Sequence, residues 1–229
     1  MIALTFDTDW VDEEILKVLA DRLIDLNLKA TFFVTGNYKC LNHKLFEVNP
    51  HVNFNGTYDH YRTEFLKIKK FTPAALAVRN HSLYFHERLR PVLKDLKVKY
   101  SSNVFLPLVN DLKPIYIGKD LYELPIYFLD YWYLETFATK ANFKLSALNL
   151  KQNGLKVFDF HPIHLALNTP GIKFYNLNKK YYKNPTKIFE KKFKGEGIAN
   201  LFDSLLNYII KNNLKTYQLK EIYFKSKIS

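Results

Sequence analysis

The stretch Met1-Ile2-Ala3-Leu4-Thr5-Phe6-Asp7-Thr8-Asp9 sets the frame for the rest of the chain. It reads as a buried strand that ends in two acids two positions apart. Side chains on a strand repeat every two residues, so Asp7 and Asp9 would face the same way if the strand ran through them. Two carboxylates on one face repel each other and are costly to bury unless a cation or a proton lies between them. Taken alone, a strand end with two solvated acids, or an acid capping the next helix, is the simpler account.

Downstream, Asp12-Glu13-Glu14 precedes apolar residues at Ile15, Leu16, Leu19, Leu23 and Leu26. That is a helix face with acids in its first turn, where the helix dipole favours them. Residues 30–36 read as a second buried strand, which completes a βαβ unit with a right-handed crossover. Further short strands are expected at 45–49, 77–81, 97–102, 121–126 and 155–160. Residues 50–56 read as a loop from their Pro, Asn and Gly content, and 57–71 as a loop with a short helix. Thr72-Pro73 resembles the start of a short helix, and residues 83–96 a helix broken near Pro91. Residues 197–212 form a strongly amphipathic helix, and 216–224 close the chain as a strand or sheet edge. No repeat and no linker divides the chain, so a single α/β domain over 1–229 is expected.

The 229 residues suit one large α/β domain, and 48% hydrophobic content excludes disorder. The formal net charge of +12 is unevenly spread. Residues 171–194 carry eight lysines against one acid, Glu190, with aromatic residues interleaved. A solvated surface is the plain reading. An anionic partner, such as nucleic acid, a phosphorylated glycan carrier or an anionic membrane surface touched peripherally, is the sharper one. No nucleic-acid motif accompanies it, so no nucleic acid is expected. Cys40 stands alone, which rules out an intrachain disulfide. The N-terminus lacks a leader pattern, and no apolar run reaches about 18 residues, so a soluble cytoplasmic protein without a transmembrane segment is expected.

The polar residues fall in a pattern. Short apolar strands end in Asp7, His81 and His161, and His51 lies just past another. In a parallel barrel the C-terminal strand ends meet on one face, where sites are built. Any one of these histidines alone is more simply a hydrogen-bonded structural residue. Together, one Asp and two His with open positions suit Zn²⁺, Co²⁺ or Ni²⁺. A separate carboxylate and a separate His then serve as general base and general acid.

These residues carry a resemblance to the polysaccharide deacetylase (NodB-homology) family, carbohydrate esterase family four, from Leu4 to about Asn168. Residues 4–10, Leu-Thr-Phe-Asp-Thr-Asp-Trp, resemble its opening Thr-Phe-Asp-Asp motif with one residue inserted between the acids. Ala30-Thr31-Phe32-Phe33-Val34-Thr35-Gly36 is similar to its second-strand signature. The family's metal motif has two His at i and i+4, whereas His51 is followed at that position by Asn55. Arg79-Asn80-His81 resembles the third motif with His81 where Pro is usual, so His81 is expected to replace the missing ligand. Pro125 through Asp130-Tyr131-Trp132 resembles the fourth motif, and Phe160-His161-Pro162-Ile163-His164 the fifth. The departures resemble a divergent branch associated with bacterial surface polysaccharides.

The resemblance implies an irregular (β/α) barrel of about seven parallel strands. It implies a divalent metal, Zn²⁺ foremost, held by Asp9, His51 and His81. Asp7 would take the proton of the attacking water, with Arg79 paired to it. His161 would protonate the departing amine, with Asp130 fixing its tautomer. Asp7 and Asp9 can exchange roles, and His164 rivals His161. Trp10, Trp132 and Asn53 are candidate substrate contacts, the two tryptophans being equally well core residues. The implied substrate is an N-acetylated sugar, nucleotide-linked or lipid-linked, in the synthesis of capsule, lipopolysaccharide or lipooligosaccharide. A non-catalytic glycan-binding relative is the alternative, and a basic nucleic-acid-binding protein ranks last.

Overall fold

The computed structural model describes residues 1–54, 56–137 and 143–227. Nine strands form its sheet: β1 (Ile2–Asp7), β2 (Ala30–Val34), β3 (Phe46–Val52), β4 (Ala77–Asn80), β5 (Tyr100–Ser101), β6 (Ile115–Tyr116), β7 (Tyr122–Glu123), β8 (Phe128–Leu129) and β9 (Lys156–Phe160). Their order is β6-β7-β5-β4-β3-β2-β1-β9-β8. Neighbours are parallel except β6 and β7, which are antiparallel. The sheet is therefore mixed and nine-stranded, in place of the seven wholly parallel strands expected. Turn residues and prolines between 104 and 128 explain the difference. They add β6 at the edge and split the stretch 122–129 at Pro125 into β7 and β8. That stretch bonds to both ends of the sheet. Leu124 N donates to Ser101 O at 2.9 Å, and Tyr127 N donates to Val157 O at 2.8 Å. The sheet is thereby curled into a half-barrel.

The central strands are buried on both faces, as in other helix-covered parallel sheets. The helices are α1 (Glu13–Asp25), α2 (Tyr58–Lys69), α3 (Leu89–Asp95), α4 (Asp130–Thr136), α5 (Pro162–Leu167), α6 (Ile172–Asn178), α7 (Pro185–Glu190), α8 (Ile198–Lys211) and α9 (Leu219–Ser226). The largest apolar face is that of α8, which buries Ile198, Leu201, Phe202, Leu205, Leu206 and Ile209. Each fully buried side chain of this size is worth roughly 1.5–3 kcal/mol. Phe202 meets Phe6 and Phe160 edge-on at 5.9 and 4.9 Å, which locks α8 against β1 and β9. Among the described residues, no helix is long and apolar enough to cross a membrane.

Five local expectations are corrected. Strand β3 runs on through Pro50 and His51, paired with β2 and then β4, so the expected loop starts only after Val52. Helix α2 is full length because Tyr61, Phe65 and Ile68 give it a buried stripe and Thr57 caps it. Thr72-Pro73 opens only a turn, and Pro91 sits in the first turn of α3, where its missing N–H costs little. Residues 219–226 are helical, since Leu219, Ile222 and Tyr223 lie on one face at helical spacing.

Candidate active site

The opening strand ends at Asp7, so Asp9 does not share its face by strand alternation. The chain turns there instead. Asp9 and Trp10 both adopt left-handed backbone, at φ 41° and 60°. Such conformations cost non-glycine residues on the order of 1–3 kcal/mol each, and surrounding contacts must hold them. Thr8 N donates to Phe33 O, and Trp10 N donates to Thr35 Oγ1, both at 3.0 Å. The inserted Thr8 thus lifts Asp9 over the end of the sheet.

There Asp9 meets two histidines from neighbouring strands. Its Oδ1 lies 3.0 Å from His51 Nε2 and 3.1 Å from His81 Nδ1. His51 reaches the site from within β3, and His81 from the residue after β4. The ligand atoms of the three residues all lie within 4.8 Å of one another. Burial pushes the Asp9 carboxyl upward, but hydrogen bonds from His51 and His81 and the charge of His161 outweigh it. The net position is well below the usual carboxylate range. The hydrogen bond to Asp9 raises His81. The donor set fits a divalent transition metal, with one carboxylate and two imidazoles on one small patch. His51 Nδ1 is buried without a hydrogen-bond partner and lies 3.9 Å from Asp7 Oδ2, beyond hydrogen-bond reach. Asn55, which stands at the position of the family's second His, lies outside the described residues.

Behind this patch, Arg79 is fully buried. Its Nη1 donates to Asp7 Oδ1 at 3.0 Å, Asp159 Oδ1 at 2.6 Å and Thr5 Oγ1 at 2.9 Å. Its Nε and Nη2 donate to Ser102 O and Oγ, both at 2.8 Å, and Phe33 packs under the guanidinium. Burial drives the Asp159 carboxyl well above the usual range, with the Arg79 charge opposing and Asp7 reinforcing the shift. Sequence reading missed Asp159. Its signal was present, because Asp159 lies two residues before His161 and so faces the same way along β9.

His161 follows β9 directly. Asp130 holds it twice, accepting from the backbone N at 2.7 Å and meeting Nδ1 at 2.6 Å. Its Nε2 points back to Asp9 Oδ2 at 3.4 Å. Burial pulls the imidazole pKa down, but the charge and hydrogen bond of Asp130, with Asp9 and Asp159, bring it well above the ordinary value. His164 is the opposite case. It is buried against Tyr175, bonds Thr169 Oγ1 at 3.2 Å, and burial lowers its pKa to about 4. The two imidazoles are thus shifted in opposite directions, His161 upward and His164 downward.

These groups line a cavity of about 440 Å³ shared with Ser82, Leu83, Tyr131, Tyr175, Asn176 and Lys179. Of the expected substrate contacts, Trp10 is 42% exposed and packs edge-on against His81 at 5.1 Å, but it is not among the lining residues. Trp132 does not line the cavity. It packs on Phe105 and Phe137, because α4 begins at Asp130 and each further residue turns by about 100°. Tyr131 takes the cavity position instead. Asn53 is exposed beyond the end of β3 and is likewise not among the lining residues.

Residues 4–179 match the family model described as WbmS-like polysaccharide deacetylase. No curated protein matches the chain in sequence. Among solved structures, the chain is similar to a protein from Bordetella bronchiseptica described as a candidate polysaccharide deacetylase involved in O-antigen biosynthesis. The two share 25% identity over 90% of each chain, with a TM-score of 0.80. More distant likenesses show the fold alone. One is a family 4 acetyl xylan esterase from Clostridium thermocellum in complex with a cobalt ion, at 16% identity over 97% and 90% of the chains and a TM-score of 0.52. Another is a mutant of a CE4 family pseudoenzyme from Bacillus anthracis, at 15% identity over 97% and 67% and a TM-score of 0.50. With its family match spanning most of the sequence, the chain belongs to the WbmS-like polysaccharide deacetylases.

Proposed function

We propose that this protein is a metal-dependent hydrolase that removes the N-acetyl group from an amino sugar during surface-glycan synthesis, the sugar being carried on a nucleotide or a lipid. The observation that carries this reading is the convergence of Asp9, His51 and His81 on one patch, with His161 held by Asp130 at 3.4 Å from Asp9. Asp9, His51 and His81 would hold the metal, Zn²⁺ foremost. Bound there, a divalent cation supplies Lewis-acid polarisation and makes water acidic near neutral pH.

The chain's own residues supply the remainder. Asp7 is the general base, with Arg79 fixing its carboxylate through Nη1. His161 is the general acid. Asp130 occupies its Nδ1, so the proton it gives to the leaving amine comes from Nε2, on the cavity side. The fixed Arg79 and Asp130 contacts keep both groups oriented before substrate arrives. Tyr131 and Tyr175 offer flat walls to a sugar ring.

A non-catalytic glycan-binding reading is favoured by one observation, Asn55 at the position of the family's second His. Metal titration separates the two. The hydrolase reading expects one Zn²⁺, Co²⁺ or Ni²⁺ per chain, with binding lost in His51→Ala. Absence of stoichiometric metal, with His51→Ala indistinguishable from the parent, would sink it.

A further inference from the structure

One feature of the cavity is not used by deacetylation itself. Its wall runs outward from the acid along three side chains. His161 and His164 stand 5.6 Å apart between ring centroids, His164 and Tyr175 stand 4.6 Å apart, and Lys179 Nζ lies 5.9 Å from the Tyr175 ring. The wall therefore begins at the acid and ends at a cation. Lys179 lies on the helical segment 171–194, beside Lys180, whose Nζ sits over Tyr181 at 5.1 Å. Lys183 donates to the Trp10 carbonyl and ties this segment to the turn that carries Asp9.

The charge on this segment is not neutralised from within. Its one acid, Glu190, is paired with Lys187 at 2.9 Å. Among the described residues, Lys179, Lys180 and Lys183 have no carboxylate at ion-pair distance. Like charges gathered at the mouth of a cavity raise the local concentration of anionic ligands and gain most from binding one. The segment contains lysines and no arginine. A lysine ammonium is a compact point charge with three donors, and it binds phosphate as such.

We infer that the far end of this wall is a phosphate subsite, in which Lys179 binds a phosphate ester attached to the amino sugar whose acetamide faces His161. The inference rests on the deacetylase reading for its orientation and assigns the residue that takes the carrier's phosphate. Two carriers supply that chemistry, a nucleoside diphosphate and a polyprenyl diphosphate. In these glycosyl phosphates the ester on C1 neighbours the acetamide on C2 but is not itself broken, so its contact is held equally in ground and transition states and acts on binding more than on the chemical step.

The test uses the metal-loaded full chain and four probes: N-acetylglucosamine 1-phosphate, UDP-N-acetylglucosamine, polyprenyl diphosphate-linked N-acetylglucosamine and the uncharged methyl N-acetylglucosaminide. Acetate release is expected to show kcat/KM at least about tenfold higher for a phosphate-linked sugar than for the methyl glycoside, the weight of one charge-assisted contact. Lys179→Ala is expected to bring that ratio to within about threefold of one, mainly through KM. Lys211→Ala, at the far end of α8, should leave the ratio as it is. The faster of the nucleotide and lipid probes identifies the carrier. A parent ratio near one, or a ratio that survives Lys179→Ala, overturns the subsite. If no probe releases acetate, the deacetylase reading is the one in trouble, and calorimetric binding then decides the subsite separately. Tighter binding of the 1-phosphate than of the methyl glycoside, lost in Lys179→Ala, upholds it. Equal or undetectable binding of the two overturns it.

Discussion

His81 Nδ1 lies 3.1 Å from Asp9 Oδ1, so the residue after β4 reaches the same oxygen that His51 Nε2 approaches at 3.0 Å from within β3. The third donor at this patch thus comes from the neighbouring strand end. If it is a ligand, His81→Ala should weaken metal binding at least on the order of 100-fold, the upper end of what losing even an outer-shell partner costs. Acetate release should fall with it. Competitive metal titration against a chromogenic chelator checks this. Unchanged affinity would remove His81 from the ligand set.

Asp130 is expected to set the pH range of the acid. Its contacts help raise the His161 pKa well above the ordinary value. A raised folded pKa makes a stability contribution that is fully present below the unfolded value and lost as pH rises through the folded one. In Asp130→Asn the pKa should fall, so the proton donor is depleted at lower pH. The alkaline limb of the kcat–pH profile should move to lower pH, and kcat should drop about 10²–10⁴-fold at neutral pH, the usual weight of general acid catalysis. A profile that keeps its position would mean that Asp130 does not control His161.

His164 makes the protein acid-sensitive. Its folded pKa of about 4 lies below the ordinary 6.5 of an imidazole. The unfolded chain therefore binds this proton first, and stability is lost as pH falls from 6.5 toward 4. The loss by pH 4.5 should be roughly 2–3 kcal/mol. Urea unfolding of the parent and of His164→Asn at pH 7.5 and 4.5 should show a smaller drop for the variant by about that amount. Parallel drops in the two proteins would contradict it.

Arg79 and the Asp159 bound to it should respond differently to mutation. Arg79→Met leaves Asp7 and Asp159 buried without their cation and should cost about 3–5 kcal/mol, as broken buried pairs do. Asp159 is pushed toward its neutral form, so Asp159→Asn changes little charge and should cost less than about 1.5 kcal/mol, the net worth of one ordinary hydrogen bond. Denaturant midpoints measure both. Equal losses would mean that Asp159 is ionised in the native protein.

Much of this was legible in the residues, for identifiable reasons. The βαβ opening and α8 announce themselves because buried strands and amphipathic helices impose periods on the sequence. Asp7, His81 and His161 could be gathered because parallel strands end on one side. Three things were hidden. The turn that places Asp9 depends on left-handed backbone at two non-glycine residues, which the contacts of Thr8 and Thr35 sustain. The extension of β3 through Pro50 is set by pairing to neighbours on both sides, which outweighs the local loop signal. Which of the two readings Trp132 takes was hidden because the start of α4 at Asp130 changes the side-chain period from two to 3.6. Asp159 is different, since alternation back from His161 was enough to find it.

The central claim is that a divalent metal held by Asp9, His51 and His81 enables amide hydrolysis on an N-acetylated sugar. The most direct measurement is acetate release from a panel of nucleotide-linked and lipid-linked N-acetyl sugars by protein stripped with a chelator and then reloaded with Zn²⁺ or Co²⁺. The account expects no release from the stripped protein, release on reloading, and none from reloaded Asp9→Asn. Release that persists in the stripped protein, or in reloaded Asp9→Asn, would contradict it.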